Sequence, residues 1–247
     1  MVFPISDDNS DRRTVPVVNY VIIAINVLVF VVLQGMGTNV QFMYKFSVVP
    51  EEIMNGKDVM IDGGLINDPY GRVFQAPRRQ PTQLSVYVTL LTSMFLHGSI
   101  MHLLGNMWFL WVFGDNVEDE AGHLLYLAFY LLTGVVASLS HVIMNMSGPD
   151  SLAPSLGASG AISGVMGAYL VLHPKRHVKV LVWRVMVVVP GYMAVGLWFL
   201  FQLVCSLGFL GGGEHGIRVA YAAHIGGFLA GAVLAGLYAD IRDRYSA

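Results

Sequence analysis

The chain has 247 residues, 55% hydrophobic and only 12% charged, with a formal net charge of -2 and a mean hydropathy of +0.61. A soluble protein carries about a quarter charged residues, so this composition excludes the ordinary soluble classes and indicates an integral membrane protein. The near-neutral charge gives nucleic acid nothing to bind, and a single cysteine, Cys205, excludes an intrachain disulfide framework.

The opening run "MVFPISDDNSDRRT" is acidic, then basic, with no apolar core. It does not read as a cleavable signal peptide, and residues 1–14 are expected to form a cytoplasmic tail. Six segments then approach the roughly 20 residues that span a bilayer: Val15–Leu33, Thr92–Phe113, Leu124–Met144, Leu156–His173, Val185–Phe209 and Arg218–Ala239. Pro190 is expected to kink the fifth near its start. A second tail follows from 240 to 247.

Lys and Arg set the direction of the spans. Arg12 and Arg13 precede the first, Lys175, Arg176, Lys179 and Arg184 crowd the link between the fourth and fifth, and Arg242 and Arg244 follow the sixth. Six spans put these three regions on one side, the cytoplasm, together with both termini. The 34–89 loop carries Lys45, Lys57, Arg72, Arg78 and Arg79 on the other side, but long loops obey the rule weakly. Its mixture of polar turns and apolar pieces such as "FMYKFSVV" reads as an interfacial, partly embedded loop. The economical architecture is an all-α bundle with no internal repeat and no separate soluble domain.

Polar groups in hydrocarbon are costly and mark function by default. The second span carries His97, His102 and Asn106, the fourth Ser159 and Ser163, and the sixth His224. Counted from the cytoplasmic ends at Asp115, His173 and Asp240, His102, Ser159 and His224 lie about 13, 14 and 16 residues up. At about 1.5 Å per residue they share one layer in the outer half of the bilayer. His102 and Asn106, four apart, share a helix face. Gly160 and Gly164 on the fourth span, with Ala223, Gly227 and Gly231 on the sixth, form small-residue series that let backbones approach. A glycine and serine face is more often packing than catalysis, and a membrane histidine is as often a packing residue; the shared depth tips the balance. Asp115, Glu118, Asp119 and Glu120 read as a solvated, structural helix end.

These parts suit nucleophilic acyl transfer. Serine needs a base, and neutral histidine serves at pH 7. Asn106, His102 and the Ser159 backbone N–H can donate to an oxyanion. No acid lies at the depth of His224, so the reading is a Ser–His dyad rather than a triad. Two other classes are weaker. A transporter using the polar layer as a binding site lacks broken-helix repeats in matching halves. A zinc hydrolase on His97, His102 and His224 lacks an HExxH spacing.

"GASG" from Gly157 to Gly160, "AHIGGFLAG" from Ala223 to Gly231 and "TSMFLHGSIMHLLGNMWFLWVFGDNVED" from Thr92 to Asp119 together resemble the rhomboid family of intramembrane serine proteases. "FSVVPEEI" and "PVVNYVIIAINVLVF" resemble the family's flanking patterns. The resemblance runs from about Pro16 to Tyr238. It implies a six-helix membrane domain over 15–239 that cleaves transmembrane segments of other proteins, with Ser159 as nucleophile, His224 as base, and His102 and Asn106 as oxyanion contributors. It also implies structural places for His97, which braces the first loop, and for Glu118, with Gly157 and Gly160 leaving room for substrate backbone. It implies no metal or organic cofactor. The expected address is a bacterial or archaeal inner membrane. Two departures stand out. Val88 and Thr89 occupy the register where many relatives carry a Trp-Arg pair. Ser163 replaces an aromatic ring that many relatives pack on the catalytic histidine, so another group must orient His224.

Overall fold

A computed structural model describes residues 2–60, 63–67, 73–76, 81–82, 84–147, 150–206 and 221–246. The first apolar segment forms α1 (Val17–Leu28), extended by a π-helical turn over Val29–Leu33. Its pattern is inverted relative to a soluble helix. Val21, Ile25, Leu28 and Val32 face outward, while Asn19, Ile22, Asn26 and Phe30 are buried. An apolar solvent favours this arrangement, because each buried amide finds a partner inside. Asn26 Nδ2 donates to the Ile22 carbonyl at 2.8 Å, and Asn19 Nδ2 donates to the Leu110 carbonyl at 3.1 Å.

The long first loop is largely built. It holds α2 (Val40–Phe46), α3 (Pro50–Asn55), a hairpin of β2 (Gly64–Asn67) with β3 (Val73–Ala76), and a short α4 (Thr89–Thr92). Val48 and Ile53 bury against Val142. Val48 also bridges to Ser155 through backbone bonds of 2.9 and 2.7 Å. The loop is therefore clipped to the segment that leads into the fourth apolar helix. Arg72, Arg78 and Arg79 lie outside the described residues.

The second segment departs from its expected bounds. The helical stretch Val86–Phe95 bends by 79° into α5 (Ile100–Ala121), so the long helix starts eight residues later than the hydrophobic run. Ser99 caps it, its Oγ accepting the His102 N–H at 3.1 Å. The other end runs on through Asp115 and Glu118, which are buried rather than solvated. Both find partners, because the tail and α1 fold over them.

α6 (His123–Met144), α7 (Ser159–Leu172), α8 (Gly191–Ser206) and α9 (Tyr221–Ser246) complete the helices. Among the described residues, α6 and α9 are long and apolar enough to cross a membrane, and the bent Val86–Ala121 pair makes a third. α1 with its extension, α7 and α8 are shorter apolar helices. The expected tail from 240 is the last turns of α9.

The all-α expectation fails in the first-loop hairpin and again beside the helices. The N-terminal tail forms β1 (Val2–Asp7), and the link after α7 forms β4 (His177–Val182) and β5 (Val185–Pro190). They make an antiparallel sheet in the order β1-β4-β5. Val178 and Val180 alternate inward, the period of a half-buried strand. The "VMVVV" run, read as the start of a helix, is therefore β-branched strand sequence. Pro190 ends that edge strand and kinks no helix.

α7 and α9 pack backbone to backbone. A Cβ on Gly227 would strike the Gly160 carbonyl, and one on Gly231 the Gly164 carbonyl. Any side chain at either position pushes the two helices apart, and the site below depends on their separation.

Candidate active site

Ser159 opens α7, two residues after a glycine whose backbone conformation other residues rarely adopt. Gly157 has φ +129, and a Cβ there would stand 2.9 Å from both Cε1 and Nε2 of the His102 ring. The Gly157 N–H is held by the Ser93 carbonyl at 2.9 Å. The glycine thus lets His102, from the start of α5, lie directly against the strip of chain before Ser159. The Gly98 N–H donates to His102 Nδ1 at 3.4 Å. With Nδ1 accepting, Nε2 carries the ring proton and faces Gly157.

His224 sits one turn into α9. Its Nε2 lies 2.7 Å from Ser159 Oγ, a hydrogen bond between side chains 65 residues apart. The close α7–α9 contact makes this reach possible, since both side chains are short relative to a normal interhelical distance of 8–10 Å. Asn106 is buried on the His102 face of α5, and its Nδ2 has no hydrogen-bond partner among the described residues. A buried amide left unpaired costs about 1–3 kcal/mol, which structures rarely tolerate without a use. A cavity of about 20 Å³ beside Ser159 is lined by Ser93, Ser138, Ser155 and Gly157, among others, enough for about one water.

The remaining sequence candidates sit at varied distances from Ser159. Ser163 donates its hydroxyl back to the Ser159 carbonyl at 2.6 Å. His97 precedes α5, and its backbone is gripped by the Gln34 side chain. Gln34 Nε2 donates to its carbonyl at 2.8 Å, and Gln34 Oε1 accepts its N–H at 3.0 Å. The His97 ring packs edge-on to His102 at 5.2 Å, and neither ring nitrogen has a partner among the described residues. Glu118 lies far from the serine. Its carboxylate accepts the Val18 and Asn19 N–H groups at 2.9 and 2.7 Å and contacts His123 Nδ1 at 2.5 Å. It caps α1, whose own N-cap residue, Pro16, has no side chain for the task.

Sequence reasoning missed Gln202. On α8, its Oε1 lies 2.9 Å from His224 Nδ1. The signal was present: a lone amide in the apolar run "LFQLVC" is as costly as the polar groups on the other helices.

Residues 84–240, more than half of the chain, match the Rhomboid domain family. The chain belongs to the rhomboid family. Rhomboid protein 1, mitochondrial, of Saccharomyces cerevisiae is 32% identical over 152 residues, 61% of this chain and 41% of that protein. Presenilin-associated rhomboid-like protein A, mitochondrial, of Danio rerio is 30% identical over 152 residues, 61% of this chain and 37% of that protein. RHOMBOID-like protein 5 of Arabidopsis thaliana is 32% identical over 157 residues, 63% of this chain and 45% of that protein. The chain thus spans less than half the length of these relatives. All three are eukaryotic and two are named mitochondrial, which overturns the expectation of a bacterial or archaeal inner membrane.

Proposed function

We propose that this rhomboid is an intramembrane serine endopeptidase that hydrolyses peptide bonds in or near transmembrane segments of other membrane proteins. The observation that carries the reading is the 2.7 Å contact between Ser159 Oγ and His224 Nε2. In this reading the domain over 15–239 crosses the membrane six times, with both termini in the cytoplasm. The named relatives favour a eukaryotic organellar membrane.

The chemistry follows from the donors and acceptors. His224 takes the Ser159 hydroxyl proton as Oγ attacks the scissile carbonyl, then gives it to the leaving amine. The oxyanion accepts from three N–H groups: the Ser159 backbone at the positive end of α7, His102 Nε2 and Asn106 Nδ2. A water then cleaves the acyl-enzyme with His224 again as base. No group on this route needs a metal ion or an organic cofactor. Gly157 and Gly160 line the cavity beside Ser159, Gly157 lying against His102 and Gly160 against Ala137. A helical substrate must unwind to present its carbonyl, because its own hydrogen bonds otherwise occupy it.

A fluorophosphonate probe tests the reading directly. Labelling is expected on the wild-type chain and on Ser163→Ala, and to vanish with Ser159→Ala and with His224→Ala. Labelling that survives Ser159→Ala overturns the assignment.

A further inference from the structure

Three helices supply the nucleophile, the base and the oxyanion donors, and α8 supplies none of these. Yet α8 brings one amide into the same layer. Gln202 is 7% exposed, and its Oε1 lies on the opposite side of the His224 ring from Ser159. We propose that Gln202 is the positioning residue of the Ser159–His224 pair. Its carbonyl oxygen accepts the Nδ1 proton and so holds the imidazole in the tautomer whose Nε2 is free to take the serine proton. This deepens, and rests on, the serine-protease reading above.

The argument is one of proton count. A neutral imidazole carries one N–H. If that proton sat on Nε2, it would point at Ser159 Oγ, and the ring could not act as base. A carbonyl facing Nδ1 favours the productive tautomer, because only then do both ring nitrogens have complementary partners. When His224 becomes an imidazolium during the reaction, its two N–H groups still face acceptors. A carboxylate would stabilise that cation more, but burying a charge among apolar helices is costly, and an amide avoids the cost.

The surroundings leave the task to α8. Ser163, one turn below the nucleophile, is committed to the Ser159 carbonyl. Trp198 lies one turn before Gln202 on the same helix face, and its ring is 6.1 Å from the imidazole at 40°. One face of α8 therefore meets the imidazole with both Gln202 and Trp198. Among the described residues, the titratable group facing His224 from α5 is His102. α7 presents the Ser159 hydroxyl and α8 the neutral Gln202, while Cys205 of α8 meets Tyr221, at the start of α9.

The test uses the full chain in detergent, with fluorophosphonate labelling of Ser159 and cleavage of a tethered transmembrane substrate, each followed against pH. Gln202→Leu removes the acceptor. Its kcat and labelling rate are expected to fall by about 100-fold, the scale of a misplaced catalytic group, with KM within about twofold. Gln202→Glu restores an acceptor and adds a charge. It is expected to recover much of the rate and to move the acid limb of the pH profile up by about one unit or more. Wild-type rates in Gln202→Leu overturn the proposal and leave the Ser159–His224 pair standing. Should Gln202→Leu not fold, Gln202→Glu decides: an acid limb unchanged from wild type overturns it. Failure of the wild-type chain to label at Ser159 overturns both this proposal and the protease reading.

Discussion

The two polar regions of this protein are wired differently. At the far end of α5 from the serine, polar groups are densely paired. Asn116 Nδ2 donates to Asn9 Oδ1 at 2.9 Å, to Asp115 Oδ1 at 3.1 Å and to Asp7 Oδ2. Arg12 reaches Asp115 at 3.1 Å, Tyr126 donates to Asn19 at 2.8 Å, and Glu118 caps α1. In the Ser159 layer, Asn106 Nδ2 and both His97 ring nitrogens are buried with no partner among the described residues. A satisfied network fixes structure, and a costly unsatisfied group persists where something else needs it. Both regions are buried, so burial alone does not tell them apart.

The largest effect should come from the unsatisfied side. Asn106→Ala is expected to lower kcat by about 10²–10³-fold, the cost of one oxyanion donor. Thermal stability should hold or rise, because an unpaired amide is removed. A variant that loses stability and keeps its kcat would place Asn106 with the structural groups and break the contrast.

The satisfied side predicts the reverse. Glu118→Ala leaves the Val18 and Asn19 N–H groups without their acceptor. A loss of about 2–3 kcal/mol is expected, the range for bonds to a charged group, measured as a lower thermal midpoint in detergent. Fluorophosphonate labelling per folded molecule should stay near wild type. A drop in labelling without a drop in midpoint would tie this end of α5 to the chemistry.

Much of this was legible beforehand, and the parts that were not share a cause. The family motifs and the depth count bring Ser159, His224, His102 and Asn106 into one candidate layer, because polar groups in an apolar helix are conspicuous. The small-residue series finds the α7–α9 contact, since glycine spacing on a helix reports close approach directly. The β1-β4-β5 sheet was not legible. Its strands lie in a tail and a link, and "VMVVV" is as apolar as any span, so hydropathy cannot tell strand from helix there. Gln202 was overlooked because its helix offers no motif around it. Its meaning lies in a contact with a residue 22 positions away. The burial of Asp115 and Glu118 depends on where the tail and α1 fold, which local charge patterning does not encode.

The last prediction sharpens the contrast from inside the paired network, where one carboxyl is held at a cost. Asp7, on β1, accepts from Asn116 and from the Tyr169 hydroxyl, the latter at 3.1 Å. Burial, and then the neighbouring Asp115 charge, push its pKa from 3.8 up to about 7. The folded value lies above the unfolded one, so the folded chain binds the extra proton between about pH 4 and 7. The associated stability is complete below pH 4 and is lost as pH rises through 7. From pH 5 to 7 the loss is about 2–3 kcal/mol, at about 1.4 kcal/mol per unit. Asp7→Asn keeps an acceptor and cannot ionise. It is expected to raise the thermal midpoint at pH 8, to leave it little changed at pH 4, and to flatten the profile between them. A steep profile that persists in Asp7→Asn would move the titrating group elsewhere in the network. Labelling of Ser159 should not follow this profile, because among the described residues the two regions share α5 and α7 but no hydrogen bond joins them.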